Sequence, residues 1–301
     1  MSNLKALKNR IKSVKSTQKI TSAMKLVAGA KLRRAQDNVE AARPYAARMG
    51  DMISHISDNA ASATALPPLL VGTGSDKQVL VVVVSADRGL CGGFNANIIR
   101  TTRREVLALQ QAGKKVRLFM VGRKASVGLK NEFGEIMVES LDGIQGTDVA
   151  LADAENIAQS IQQMLDQATL DRCVLIYNRF ISAIAQEVCV ESLVPFQAKS
   201  ADKNKPDEKN KADSTSQAMY DYEPSSDIVL ASLLPRNLAI QIYAALLESS
   251  AGELAARMTA MDNATRNAGE LIDRLTLDYN RTRQAAITTE LIEIISGAEA
   301  L

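Results

Sequence analysis

The chain has 301 residues, 46% of them hydrophobic and only 4% aromatic, with no Trp and a formal net charge of +2. That is enough apolar material for one or two real cores, and the near-neutral total excludes a molecule whose overall field would draw nucleic acid. Three cysteines, Cys91, Cys173 and Cys189, are odd in number and unevenly spaced, which excludes a disulfide framework and reads as buried thiols in a reducing compartment.

The first predicted element, residues 1–60, keeps a heptad. One set of seam positions runs Leu4, Ile11, Gln18, Lys25, Leu32, Val39, Ala46, Ile53 and the other Leu7, Val14, Thr21, Ala28, Ala35, Ala42, Met49, Ile56. A 3.5-residue repeat held this long predicts a coiled-coil helix, about 80 Å in length at 1.5 Å per residue. Pro44 lies inside the pattern and predicts a bend or interruption there. Gln18, Thr21 and Lys25 make the middle of the seam polar, while Ile20, Met24 and Val27 put apolar groups on another face. Charge is also uneven: residues 1–36 hold ten Lys or Arg and no acid, the first being Asp37.

Residues 75–196 alternate strand and helix. "KQVLVVVV" reads as a buried strand, and Asn95–Ala112 as a helix after a Gly-rich turn. "KKVRLFMVG" is a second strand, followed by a short helix from Lys124 and the strand "EIMVESL". A helix over Asp148–Ala168 leads to two further strands, "RCVLIYNRFIS" and "QEVCVESLVPF". Such alternation predicts an α/β domain with a doubly wound, mainly parallel sheet. The longest apolar run, Val79–Val84, is too short to span a bilayer, and the apolar stretch of a signal peptide is missing. A soluble, cytosolic protein is expected.

Residues 197–226 contain "KSADKNKPDEKNKADSTSQ", charged and without a large apolar side chain, which predicts a solvated, flexible insertion and linker. Residues 227–301 read as a second long helix, opened at Pro235 and about 90 Å long by the same rise. Its Ala-rich seam runs through Met258, Met261, Ala264, Ala268, Leu271, Leu275, Tyr279, Thr282 and Ala286 to Leu291, Ile294 and Ala298. Each terminal helix is too long for the sheet domain to bury, so the two are expected to pair as an antiparallel coiled-coil shaft carrying the α/β domain as a head.

No catalytic constellation emerges. "SADRGLCGG" stands between strand and helix, where a phosphate would be cradled. The spacing of Gly89, Gly92 and Gly93 fits neither a dinucleotide fingerprint nor a P-loop. The glycines then serve a tight turn, with Asp87 and Arg88 stabilising it or meeting a partner. His55 is the only histidine, which removes Ser-His-Asp, Cys-His and multi-histidine metal arrangements. Glu290 and Glu293 share a helix face as solvated or partner-facing groups. No catalytic residue, metal ligand or cofactor is expected. The basic N-terminus could be a transit peptide, a DNA-gripping zipper arm or a face toward an acidic protein surface. The heptad running straight through it disfavours the first, and the sheet domain the second. An α/β nucleotide-binding protein with coiled-coil arms stays open as the alternative.

Three blocks, "RIKSVKSTQKITSAMKLVAGAKLRRAQ", "SADRGLCGGFNANI" and "ITTELIEIISGA", resemble the gamma subunits of rotary ATP synthases, in order and over nearly the whole chain. The last fits the signature Ile-Thr-x-Glu-x-x-acid-x-x-x-Gly-Ala at Ile287, Thr288, Glu290, Glu293, Gly297 and Ala298. The resemblance implies an asymmetric shaft of the two terminal helices inside a sleeve of three alpha and three beta subunits. A Rossmann-like head would sit at its foot, on the epsilon subunit and the membrane ring of c subunits. It implies a non-catalytic rotor at the cytoplasmic face of a bacterial inner membrane, without membrane insertion of its own. Rotation driven by proton flow would be coupled to ATP synthesis at the neighbouring sites. It further implies sleeve contacts at Gln18, Thr21, Met24, Lys25, Arg283, Gln284, Thr288 and Glu290, with Asp87 and Arg88 as a candidate contact on the head. Segment 199–217 departs from many bacterial relatives in its length and lacks the cysteines of a thiol switch.

Overall fold

The computed structural model describes residues 2–59, 67–144, 149–196 and 226–299. The charged segment expected at 197–226 lies outside the described residues, apart from Ser226.

Helix α1, Ser2–Asn59, is continuous. Its buried positions are all on the heptad seam: Ala28, Leu32, Ala35, Val39, Met49, Ile53 and Ile56 are almost wholly covered, and Thr21 joins them. The interruption expected at Pro44 is not found, and the helix runs through it. The proline is on the exposed side, where water can serve the Glu40 carbonyl that its missing N–H leaves without a partner. A short helix α2, Pro68–Val71, leads into the head.

The head is a five-stranded sheet of β1 (Gln78–Val84), β2 (Lys115–Val121), β3 (Met137–Leu141), β4 (Arg172–Phe180) and β5 (Gln186–Val194), in the order β3-β2-β1-β4-β5. β5 alone is antiparallel to its neighbour. The unbroken apolar runs of β1 and β4 follow from burial on both faces. One face, with Val79, Val81, Val83, Leu118 and Met120, is covered by α3 (Phe94–Gln111) and α4 (Arg123–Phe133). The other, with Leu80, Val82, Phe119, Leu175 and Tyr177, meets α5 (Leu151–Asp166) and the long C-terminal helix α6, and beyond them Leu32, Ala35 and Val39 of α1. Glu135 and Ile136, expected to open the third strand, form a 3-10 turn instead.

Helix α6 spans Ser226–Glu299, 74 residues or about 110 Å. Pro235 was expected to open it but lies inside. Leu230 and Leu234, upstream of the proline, are buried with Met49, Ile53 and Ile56 of α1, and this apolar cluster carries the helix through. By length and composition α6 could cross a membrane, its most apolar window reaching a mean hydropathy of 1.4. The apolar residues of 238–255 are accounted for by packing, with the sheet and α5 covering one side and α1 another, and Glu248 and Glu253 interrupt them.

The α1–α6 register is antiparallel. Gly29 faces Met258, Lys25 faces Asp262, Thr21 faces Thr265 and Gln18 faces Gly269. Leu271, placed on the seam by sequence, is exposed; Ile272 takes that seat. Extended to its end, the register sets the start of α1 beside Ala285, and α6 runs on alone from there.

Candidate functional site

Where the paired helices leave the head, a groove of about 1020 Å³ opens between α1, the turn after β1 and α6. Ile20, Met24 and Val27 form one wall, Arg88 and Leu90 another, and Glu253 with Arg257 the third; Lys31, Arg123 and Asp142 stand around it. Two residue groups singled out separately in sequence, Met24 and the pair Asp87 and Arg88, therefore share one cleft. Ile20, Val27 and Leu90 expose much of their apolar surface there, Leu90 as much as 64%.

The turn that forms one wall is held from several sides. The Asp87 carboxylate accepts from the backbone N–H groups of Arg123, 3.1 Å, and Gly143, 3.1 Å, so it stitches the ends of three strands together. Asn95, in the first turn of α3, accepts from Ala86 N–H at 3.0 Å and donates to the Arg88 carbonyl and the Cys91 sulfur. Arg257 Nη2 donates to the Gly89 carbonyl at 3.2 Å and to Glu253 Oε1 at 2.5 Å. Just behind, Gly122 has φ +96, and a Cβ there would lie 2.0 Å from the Ser85 carbonyl oxygen, so only glycine fits. Burial raises the Cys91 thiol above its ordinary range, and the nearby Glu253 adds to the effect. Burial likewise raises the Glu253 carboxyl, against the pull of Arg257.

The seam residues are directed otherwise. Thr21, 9% exposed, faces α6 with its hydroxyl 2.8 Å from that of Thr265. Thr21 therefore turns toward α6, where its hydroxyl has a partner, and not outward. Lys25 is half exposed and pairs with Asp262 at 2.6 Å, an interaction that holds the Asp262 carboxyl below its usual range. The Gln18 amide lies over Gly269, which leaves room for it. Met24 sits one position off the seam and lines the groove.

The remaining candidates are at the far end. Arg283, Gln284, Thr288 and Glu290 are all exposed on α6, the first two beside the start of α1 and the others on the unpaired extension. Ile287, Leu291, Ile292, Ile294 and Ile295 of that extension also stand exposed. The side chains of His55 and Glu293 lie outside the described residues. Among the described residues no cluster of three His, Cys, Asp or Glu has metal-binding geometry, and the Asp87 oxygens are occupied by backbone donors.

Sequence reading did not find Leu90, Arg123, Glu253 or Arg257 as parts of the site. Glu253 and Arg257 carried a signal, an acid and a base four residues apart on one helix; Leu90 lies in the turn of Asp87 and Arg88, and Arg123 is brought in by the sheet order.

The family model described as ATP synthase matches residues 3–301. The chain is similar to proteins named ATP synthase gamma chain from Acidiphilium cryptum, 53% identical, and Paramagnetospirillum magneticum, 49% identical, each covering all of both chains. Among solved structures it is similar to a chain of the Tetrahymena thermophila mitochondrial ATP synthase central stalk and c-ring, 28% identical with a TM-score of 0.60, covering 81% of this chain and 99% of that one. A chain of the Euglena gracilis mitochondrial ATP synthase rotor, 19% identical with a TM-score of 0.63, shares the fold over 95% of this chain and 99% of that one.

Proposed function

This chain belongs to the ATP synthase gamma-chain family, and from that premise we propose that its paired helices turn inside a sleeve of three alpha and three beta subunits. It is the central-stalk subunit of a bacterial ATP synthase and not the catalytic one. The epsilon subunit and the ring of c subunits hold the head at the cytoplasmic face of the inner membrane. ATP, Mg²⁺ and the chemical step belong to neighbouring chains.

The observation that carries this reading is the mismatch between the two helices. α6 outruns α1 and ends in a single helix with five large aliphatic side chains exposed. An unpartnered apolar tip of this kind is a liability in water and is suited to an apolar bearing. On the outer face of α1 the exposed Ser13, Ser16, Thr17, Ala23 and Ala30 are small or of mixed polarity and interrupt the ridges that would lock it at one angle.

Asymmetry then does the work. Near the head the shaft presents the groove on one side only, with Met24, Arg88 and Leu90. At the tip it presents Arg283, Gln284, Thr288 and Glu290. Three equivalent catalytic sites around it meet three different surfaces and are held at different affinities. Turning the shaft exchanges those surfaces, so that coupling free energy passes between the membrane ring and the sites mechanically. The exposed cations of α1 between Lys5 and Arg34 suit acidic loops of the sleeve at close range.

Purification through a tag on this chain tests the reading. Alpha, beta, epsilon and c subunits are expected together, and recovery of the chain alone or with a nucleic acid would contradict it.

A further inference from the structure

The turn between β1 and α3 holds an unfavourable backbone. Leu90 has φ +64, a left-handed conformation that a side-chain-bearing residue keeps only when its surroundings over-determine it. The residue is also exposed, so its own side chain does not hold it there. Asp87 and Asn95 secure the start of the turn within the head. On the shaft side, Gly92 rests near Ala260, and Arg257 donates to the Gly89 carbonyl immediately before Leu90.

That guanidinium is itself fixed. Glu253, 6% exposed and one helical turn away on α6, takes the same Nη2 at 2.5 Å. The pair is rooted in the shaft and its outer bond is made to the head. We propose that Glu253 is a positioning residue for the groove: by holding Arg257 it keeps the Gly89 carbonyl, and with it the turn bearing Arg88 and Leu90, aimed along α6. The pair thus fixes the wall that faces Met24, and its role in coupling rests on the stalk function given above. Asp87 and Arg88 from the turn are the other charged groups that act on Glu253, and neither displaces the bond to Arg257.

A purely space-filling role makes a different prediction from a positioning one. Leucine at position 253 fills the site without a charge, whereas glutamine keeps an acceptor for Arg257. Replacing Glu253 and Arg257 together with leucine removes the buried carboxylate and its partner at once, so no orphaned ion is left to unfold the helix. The test uses the whole complex in membrane vesicles, with wild type, E253Q and the double variant Glu253→Leu, Arg257→Leu. Hydrogen exchange of the amides at 88–93 and protons pumped per ATP hydrolysed are both measured. The double variant is expected to assemble normally, to exchange in the turn roughly tenfold faster, the worth of one charge-assisted hydrogen bond, and to lose at least half its pumping ratio. E253Q is expected to restore most of both.

Wild-type exchange and pumping in the double variant would overturn the proposal. So would faster exchange with unchanged pumping, because the turn's aim would then be irrelevant to coupling. Failure of the double variant to assemble overturns it too, since the pair would be holding the fold together. A wild-type complex that lacks alpha and beta subunits fails the function reading before any variant is compared.

Discussion

At the scale of single residues, the head is organised by carboxylates that accept backbone donors at strand ends. Asp171 is the most buried of them. It takes the Thr73 hydroxyl at 2.6 Å and the N–H groups of Lys77 at 3.0 Å and Gln78 at 2.9 Å, so it ties the entry of β1 to that of β4. The Thr73 bond, helped by the two amides, holds its carboxyl below the ordinary Asp range. The folded pKa is therefore the lower one. The stabilisation is complete above the unfolded pKa, about 3.9, and disappears as pH falls through the folded value. Asp171→Asn should cost about 2 kcal/mol, read as faster hydrogen exchange of β1 and β4 amides in the complex, and should flatten the loss of protection below about pH 4. Equal exchange in both proteins would remove Asp171 from this role. Met24 belongs to the same scale. An unbranched thioether can repack as partners slide past it, and Met24→Lys adds a cation to a groove already holding Arg88 and Lys31. Some rotary angles should then be favoured over others by about 1–3 kcal/mol through a new pair with an acidic sleeve loop. An assembled complex that hydrolyses ATP but pumps fewer protons per ATP, more so in the cold, is the expected result. Wild-type pumping across temperatures would contradict it.

At the scale of elements, the heptad of α1 was fully legible, because a seam residue is buried by the same geometry whatever lies opposite. Its partner was less so. Leu271 and Ile272 are equally apolar, and only the register set by Thr21, Lys25 and Gln18 decides which one faces α1. The prolines were misleading for a related reason. Local backbone preference disfavours Pro44 and Pro235 inside helices, but aliphatic contacts on both sides of each outweigh the loss of one hydrogen bond. The groove could not be read at all, since its walls come from three distant stretches, two brought together by the pairing of α1 with α6 and the third by the docking of the β1 turn on α6. The Thr21–Thr265 bond is testable here. Thr21→Val should lower the thermal dissociation midpoint of the complex in step with about 1 kcal/mol, and Thr265→Val likewise. The double variant should lose less than the sum, as no hydroxyl is left facing a methyl. Strict additivity would mean that the hydroxyls do not interact. The tip offers a functional counterpart. Replacing Arg283 and Gln284 together with Ala should reduce ATP synthesis while leaving the amount of complex unchanged; unchanged synthesis would release both residues from the sleeve contact.

At the scale of the whole molecule, two helices of unequal length and a head joined to them on one side make an object without rotational symmetry. The α/β head looks like a nucleotide-binding fold, yet its first strand-to-helix turn is filled by its own bonds: Asp87 is committed to backbone donors and Arg257 to the Gly89 carbonyl. The turn's link to α6 is the bond from Arg257 to the Gly89 carbonyl. Such an object is expected to rotate as one body within its sleeve. The most direct measurement fixes the alpha and beta subunits of the purified complex to a surface, attaches an optical probe to the head, and supplies ATP. Stepwise rotation in one direction is expected, with one stop for each surrounding catalytic subunit. A probe that stays still while ATP is hydrolysed at the normal rate would contradict it.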